Sequence, residues 1–146
     1  MFEFHGWAVL NASSGQGVFT PKGLFHPDDE DLLRDFTRTL ESQGDFAKMH
    51  VRLSQTINGL SSVALHGLRN HRVREVFEIF EWLAVHATRS YGVLMTRNDE
   101  DQDRIYDSAA AFRVYRLAVG TFTEMDSLFA VPQNPPRPES IWKDTD

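Results

Sequence analysis

Residues 70–101 read NHRVREVFEIFEWLAVHATRSYGVLMTRNDED, and this stretch decides the fold. Val73, Val76, Phe77, Phe80, Leu83, Ala84 and Ala87 recur at i, i+3, i+4, i+7, the stripe that a surface helix buries. Arg74, Glu75, Glu78 and Glu81 fall on the other side. Residues 90–97 then read as a mostly buried strand, and it empties directly into the run Asn98, Asp99, Glu100, Asp101. Nothing in the stretch is arranged for catalysis. A rigid helix and strand that present an acidic loop suit the capture of something positively charged.

Working outward, 146 residues with 41% hydrophobic and 12% aromatic content, eleven of them Phe, supply one well-packed core. A chain of this length buries about two-thirds of its unfolded surface. Fifteen Lys and Arg against twenty-one Asp and Glu give a formal charge of −6. That balance argues against nonspecific nucleic-acid binding, which needs a basic footprint to neutralise phosphates. It speeds encounter with a basic partner instead. The absence of Cys excludes disulfides, thiolate metal sites and Cys nucleophiles. The first residues lack the basic and apolar regions of a signal peptide, and no apolar run approaches the roughly 20 residues of a membrane span. The sequence therefore predicts a cytoplasmic protein that uses no membrane, nucleic acid or cofactor.

Residues 2–10 predict a first strand, with Phe2, Phe4, Trp7 and Val9 as its apolar positions, followed by a Gly/Ser-rich loop. Pro27 and Asp28 open a helix, with Asp28 as N-cap and Asp29, Glu30 and Asp31 favourably placed against the helix dipole. Leu32, Leu33, Phe36 and Leu40 form its buried stripe, and Gly44 ends it. Alternation of Met49, Val51, Leu53 and Ile57 with polar residues predicts a strand. Asn58-Gly59 is a hairpin turn signal because both residues tolerate positive φ, and residues 60–68 return. Residues 112–119 alternate again. Pro132, Pro135, Pro136 and Pro138 mark a polyproline-like tail that carries Ile141 and Trp142. The expected architecture is α+β, in the order β-α-β-β-α-β-β, with two helices packed on one face of a mostly antiparallel sheet. Residues 1–131 form one domain and 132–146 a Pro-rich tail.

With these pieces in view, the chain resembles the immunity protein 7 family of bacterial polymorphic-toxin systems. The resemblance runs in order through His5-Gly6-Trp7, Gly67-Leu68-Arg69-Asn70-His71-Arg72 and Phe80-Glu81-Trp82. It continues through Ser90-Tyr91-Gly92-Val93-Leu94, Asp99-Glu100-Asp101 and Phe112-Arg113-Val114-Tyr115. It departs near the end, where Asp126-Ser127-Leu128-Phe129-Ala130-Val131-Pro132 replaces a Ser-Pro-rich turn. The resemblance implies a small antitoxin-like protein, not an enzyme, that binds a cognate toxin domain and blocks it in bacterial competition.

Two readings compete at the carboxylate loop of Asp99, Glu100, Asp101, Asp103 and Asp107. One is a docking surface for a basic toxin, where charges raise the association rate. The other is a solvated hairpin loop. Calcium is disfavoured: Arg104 stands where an EF-hand turn needs Gly, and Ala110 where it needs a bidentate Glu. Among the six His, His66 and His71 straddle a strand-to-helix junction, so spacing assembles no three-ligand metal site. Asn70 is expected to cap the second helix, with His71 pairing with Glu75 or meeting a partner. His5 and Trp142 complete the candidate partner contacts, Trp142 as an aromatic in a tail that docks back or anchors an interface. Trp7 and Trp82 are expected in the core or, for Trp82, at the edge of the sheet. The loop at Gly15-Gln16-Gly17 lacks the ending of a phosphate loop, and no nucleophile elbow is present. A small hydrolase that brings His and carboxylates together in space is the alternative reading.

Overall fold

A computed structural model describes residues 1–11, 18–20, 23–25, 27–55, 60–100, 111–125 and 129–130. In chain order they form β1 (Phe2–Leu10), β2 (Val18–Thr20), β3 (Gly23–Phe25), α1 (Pro27–Ser42), α2 (Asp45–His50) and β4 (Val51–Gln55). There follow β5 (Ser61–Arg69), α3 (Glu75–His86), β6 (Tyr91–Asn98), β7 (Ala111–Ala118), β8 (Thr121–Glu124) and β9 (Phe129–Ala130). The sheet runs β4-β5-β1-β6-β7-β8, and every neighbouring pair is antiparallel. β9 pairs with β7, and β2 with β3 makes a separate ribbon. The fold is the expected α+β arrangement, with helices packed against one face of an antiparallel sheet. The turn expected at Asn58-Gly59 lies outside the described residues, although β4 and β5 do pair, with Gln55 opposite Ser61.

Strand parity explains which face the helices cover. In β1, Phe2, Phe4, Ala8 and Leu10 are buried, so the odd-numbered residues point the other way. Bulk at positions 2, 4 and 10 and smallness at 6 and 8 fit the helix above. A Cβ at Gly6 would lie 3.0 Å from the Phe80 ring and from Leu94. Trp7, expected in the core, is therefore turned outward and 48% exposed. β6 shows the same alternation: Gly92, Leu94 and Thr96 are buried, while Tyr91 is exposed. Residues 90–97 are thus half outward, not mostly buried.

At Gly92, β1 leaves no room for a side chain. A Cβ there would come within 2.2 Å of the Trp7 carbonyl oxygen and 2.7 Å of Ala8 Cα. Backbone atoms in a paired strand cannot yield as a side chain can. Gly92→Ala is expected to cost about 1–3 kcal/mol through overpacking, read as a lower urea midpoint. A midpoint equal to that of the unaltered protein would show that β1 and β6 stand further apart.

The strand expected to begin its alternation at Met49 does not start there: residues 45–50 form a helix. Gly44 adopts φ 62, ending α1 and turning the chain. Asp45 then falls in the first turn of α2, and Lys48 and His50 in its last, as the dipole favours. Phe46 and Ala47 are buried, the Phe46 ring 5.8 Å from Phe4. Met49, expected to alternate inward, is exposed instead. True alternation begins at Val51.

α3 buries Val76, Phe77, Ile79, Phe80, Leu83 and Ala84. Ile79 joins the predicted stripe, three residues after Val76 and four before Leu83, and α1 packs against α3 as well. Phe36 of α1 meets Trp82 at 5.4 Å, so Trp82 lies between two helices and not at the sheet edge. Gln43 Nε2 donates to the Glu75 carbonyl at 3.3 Å, tying the end of α1 to the start of α3. Asn70 does not cap α3. The N-cap position is Arg74, with no side-chain cap, and α1 likewise begins at Pro27, one residue before the expected cap Asp28. Residues 70–74 instead form a bend that lays the Arg72 guanidinium 4.5 Å over the Phe77 ring. Arg74 pairs with Glu78 one turn on, at 3.0 Å.

Candidate partner-binding surface

The sheet delivers several candidate residues to one end. β5 finishes at Arg69, β6 at Asn98 and β1 starts at Phe2, and the registers place both Arg69 and Asn98 opposite Phe2. Asp99 therefore follows directly beside the start of β1. Its N–H donates to the Met1 carbonyl at 3.2 Å, and its carboxylate accepts from the Met1 α-amino group. That hydrogen bond holds the Asp99 carboxyl below the ordinary carboxylate range. Glu100 donates its own N–H to Asn98 Oδ1 at 3.1 Å. Its carboxylate stands 3.0 Å from His71 Nδ1. Two of the predicted contacts, His71 and Glu100, are thus brought together across the sheet end, and His71 does not use Glu75. Asp101, Asp103, Asp107 and Trp142 lie outside the described residues.

His5 lies apart from this group, in the middle of β1 on the outward face. Its Nε2 is 3.0 Å from Glu3 Oε1, and Glu3 also takes Arg97 at 2.7 Å. The His5 ring meets the Phe112 ring edge-on at 5.9 Å. A short polar chain, His5 to Glu3 to Arg97, therefore runs along the outward face toward the acidic end at Asp99.

On the helix side, α3, β7 and β8 enclose a cleft of about 590 Å³. Phe77, Tyr115 and Phe122 form its floor, with Tyr115 and Phe122 stacked at 5.5 Å. Glu81 of α3, Glu124 of β8, Arg72 and Arg74 also line it. Burial, reinforced by the Glu124 charge, raises the Tyr115 hydroxyl above its ordinary value. The phenol stays protonated at neutral pH and can donate. Among the described residues, no group of three or more His, Asp or Glu could hold a metal ion.

Sequence reasoning missed the outward position of Trp7 and with it the face that Trp7 occupies. The signal was available in β1, where Gly6 and Ala8 share the parity of Phe2 and Phe4.

The family model described as immunity protein 7 matches residues 1–137 of the chain. No curated protein and no solved structure matches it.

Proposed function

The chain belongs to the immunity protein 7 family, and from that premise we propose that it binds a cognate toxin domain and neutralises it by occluding its working surface. The observation that carries this reading is a family match extending over residues 1–137 of 146. The physical picture supports it. A net charge of −6 and exposed carboxylates at Asp99 and Glu100 suit a basic toxin surface. Asp101, Asp103 and Asp107, which follow in the sequence, add to this acidic run; His71 stands beside Glu100, and Trp142 is a further candidate anchor. The protein acts in the cytoplasm of the cell it protects. Among the described residues, no helix is long and apolar enough to cross a membrane.

Co-expression tests the proposal. The toxin domain encoded beside this chain should arrest growth alone, and growth should return when both are expressed. The purified pair should elute together. Purified alone, the protein should show no nuclease, protease or phosphatase turnover, and a chelator should leave its melting temperature unchanged. Continued arrest with no complex rejects the immunity reading. Metal-dependent turnover lost on changing His66 or His71 replaces it with a hydrolase.

A further inference from the structure

The helices cover one face of the sheet, and the strand registers fix what stands on the other. Arg52 is opposite Ala64, Ala64 opposite Trp7, Trp7 opposite Val93, Val93 opposite Arg116 and Arg116 opposite Thr123. One cross-strand row therefore spans all six strands, with a Trp at its centre and an Arg two strands away on each side. The row on one side places Tyr91 beside Val9, and the row on the other places Met95 beside His5. The Trp7 and Tyr91 rings meet edge-on at 6.2 Å and are each about half exposed, at 48% and 49%.

An antiparallel sheet covered on one side ordinarily shows water a polar face. This one shows a Trp–Tyr pair set among Val, Ala and Met. About half of each ring stays in water, and that exposed half adds nothing to folding. Trp, Tyr, Met and Arg are also the residue types enriched at interface centres. Five strand gaps of about 4.8 Å, and about six residues along each strand, give a footprint on the order of 500 Å². That is a large share of the roughly 800 Å² per partner of a standard interface. The acidic end at Asp99 and Glu100 is continuous with it and extends it.

Charge narrows the occupant. The chain is acidic overall, yet these three rows carry no carboxylate among the described residues; Glu3, one row beyond His5, is already held by Arg97 at 2.7 Å and His5 at 3.0 Å. Arg52 and Arg116 are exposed, and neither forms an ion pair with a described residue. Four strand gaps separate them, about 19 Å at the backbone.

We propose that this outward face is where the toxin docks, with Trp7 as central anchor and Arg52 and Arg116 each taking a toxin carboxylate. The proposal rests on the immunity reading above. It commits the toxin to an apolar contact centre flanked by Asp or Glu, distinct from the basic surface that meets the acidic end. Truncating a central anchor typically weakens binding about thirtyfold or more, and buried charge contacts act chiefly on dissociation.

The experiment measures association and dissociation rates between the purified toxin domain and the full chain. Trp7→Ala should raise the dissociation constant about thirtyfold or more. Arg52→Glu and Arg116→Glu should each raise the dissociation rate about tenfold. Ala64→Glu, at an exposed position beside Trp7, should weaken binding as much as Trp7→Ala, and it serves if Trp7→Ala does not fold. Changing the facing toxin Asp or Glu to Lys should restore binding to Arg116→Glu. If the unaltered protein binds and all four variants bind equally well, the docking proposal falls while immunity stands. Tighter binding by the two Arg variants would show a basic counterpart and overturn the charge assignment. A free protein that is a dimer split by Ala64→Glu, with toxin binding unchanged, would make this face a self-interface. If the unaltered protein does not bind the toxin, the immunity reading and this inference fall together.

Discussion

Phe80→Ala should lower the unfolding free energy by about 3–5 kcal/mol, the cost of emptying a buried aromatic site. Phe80 is fully buried at the centre of α3. Its ring stacks on Phe122 of β8 at 5.3 Å and would lie 3.0 Å from a Cβ placed at Gly6 of β1, closer than ordinary van der Waals contact. The cavity left behind cannot collapse easily. Beneath it, Gly6 is fixed by pairing to Leu65 on one side and Leu94 on the other, and neither strand can rise into the gap without breaking its ladder. Typical domains are stable by only about 5–15 kcal/mol, so the variant loses a large fraction of its margin. Urea unfolding reads this as a lower midpoint with an unchanged slope. A loss below about 1 kcal/mol would mean that the ring is not in the core and that α3 is rotated about its axis.

That core was readable because its pattern is long and local. Five of the seven apolar positions read at helical spacing fall inside α3 and are buried there, whatever the rest of the chain does. Short elements were harder to see. The β7–β8 turn uses Val119 and Gly120, with φ 51 and 71. Two successive positive φ values suit a tight hairpin, but a β-branched residue rarely adopts one, so the sequence offered only half of the usual signal. α2 is six residues long, too short for periodicity to separate a helix from an alternating strand.

The candidate site divides along the same line. Local composition flagged the carboxylates after β6. No spacing rule could show that Glu100 meets His71, twenty-nine residues away, because that pairing depends on β5 and β6 flanking β1 on opposite sides. The outward face was missed through a single parity error: Trp7 was read as inward because large aromatics in strands usually are. Parity in a strand propagates, so one residue placed on the wrong face conceals a whole row. Placing the small residues first, Gly6 and Ala8 beneath Phe80, would have turned Trp7 outward.

The acidic end makes the other large prediction, and it concerns rate. Changing Asp99, Asp101 and Asp103 to Asn and Glu100 to Gln keeps their approximate shapes while removing four negative charges. If these groups steer a basic toxin surface, association should slow by about tenfold or more at low salt, within the one to three orders of magnitude that steering supplies. The difference should shrink toward physiological ionic strength, where the Debye length is about 8 Å. The two that lie among the described residues have folded-state partners, the Met1 amine for Asp99 and His71 for Glu100. Exposed pairs of this kind contribute at most about 1 kcal/mol, so the melting temperature should move little and a slower association cannot be ascribed to unfolding. The effect is also separable from docking at Trp7: charges that act before contact change the association rate, whereas a desolvated anchor changes dissociation. A variant that associates at the rate of the unaltered protein at low salt would show that these carboxylates are merely solvated. Recognition would then rest on the sheet face alone.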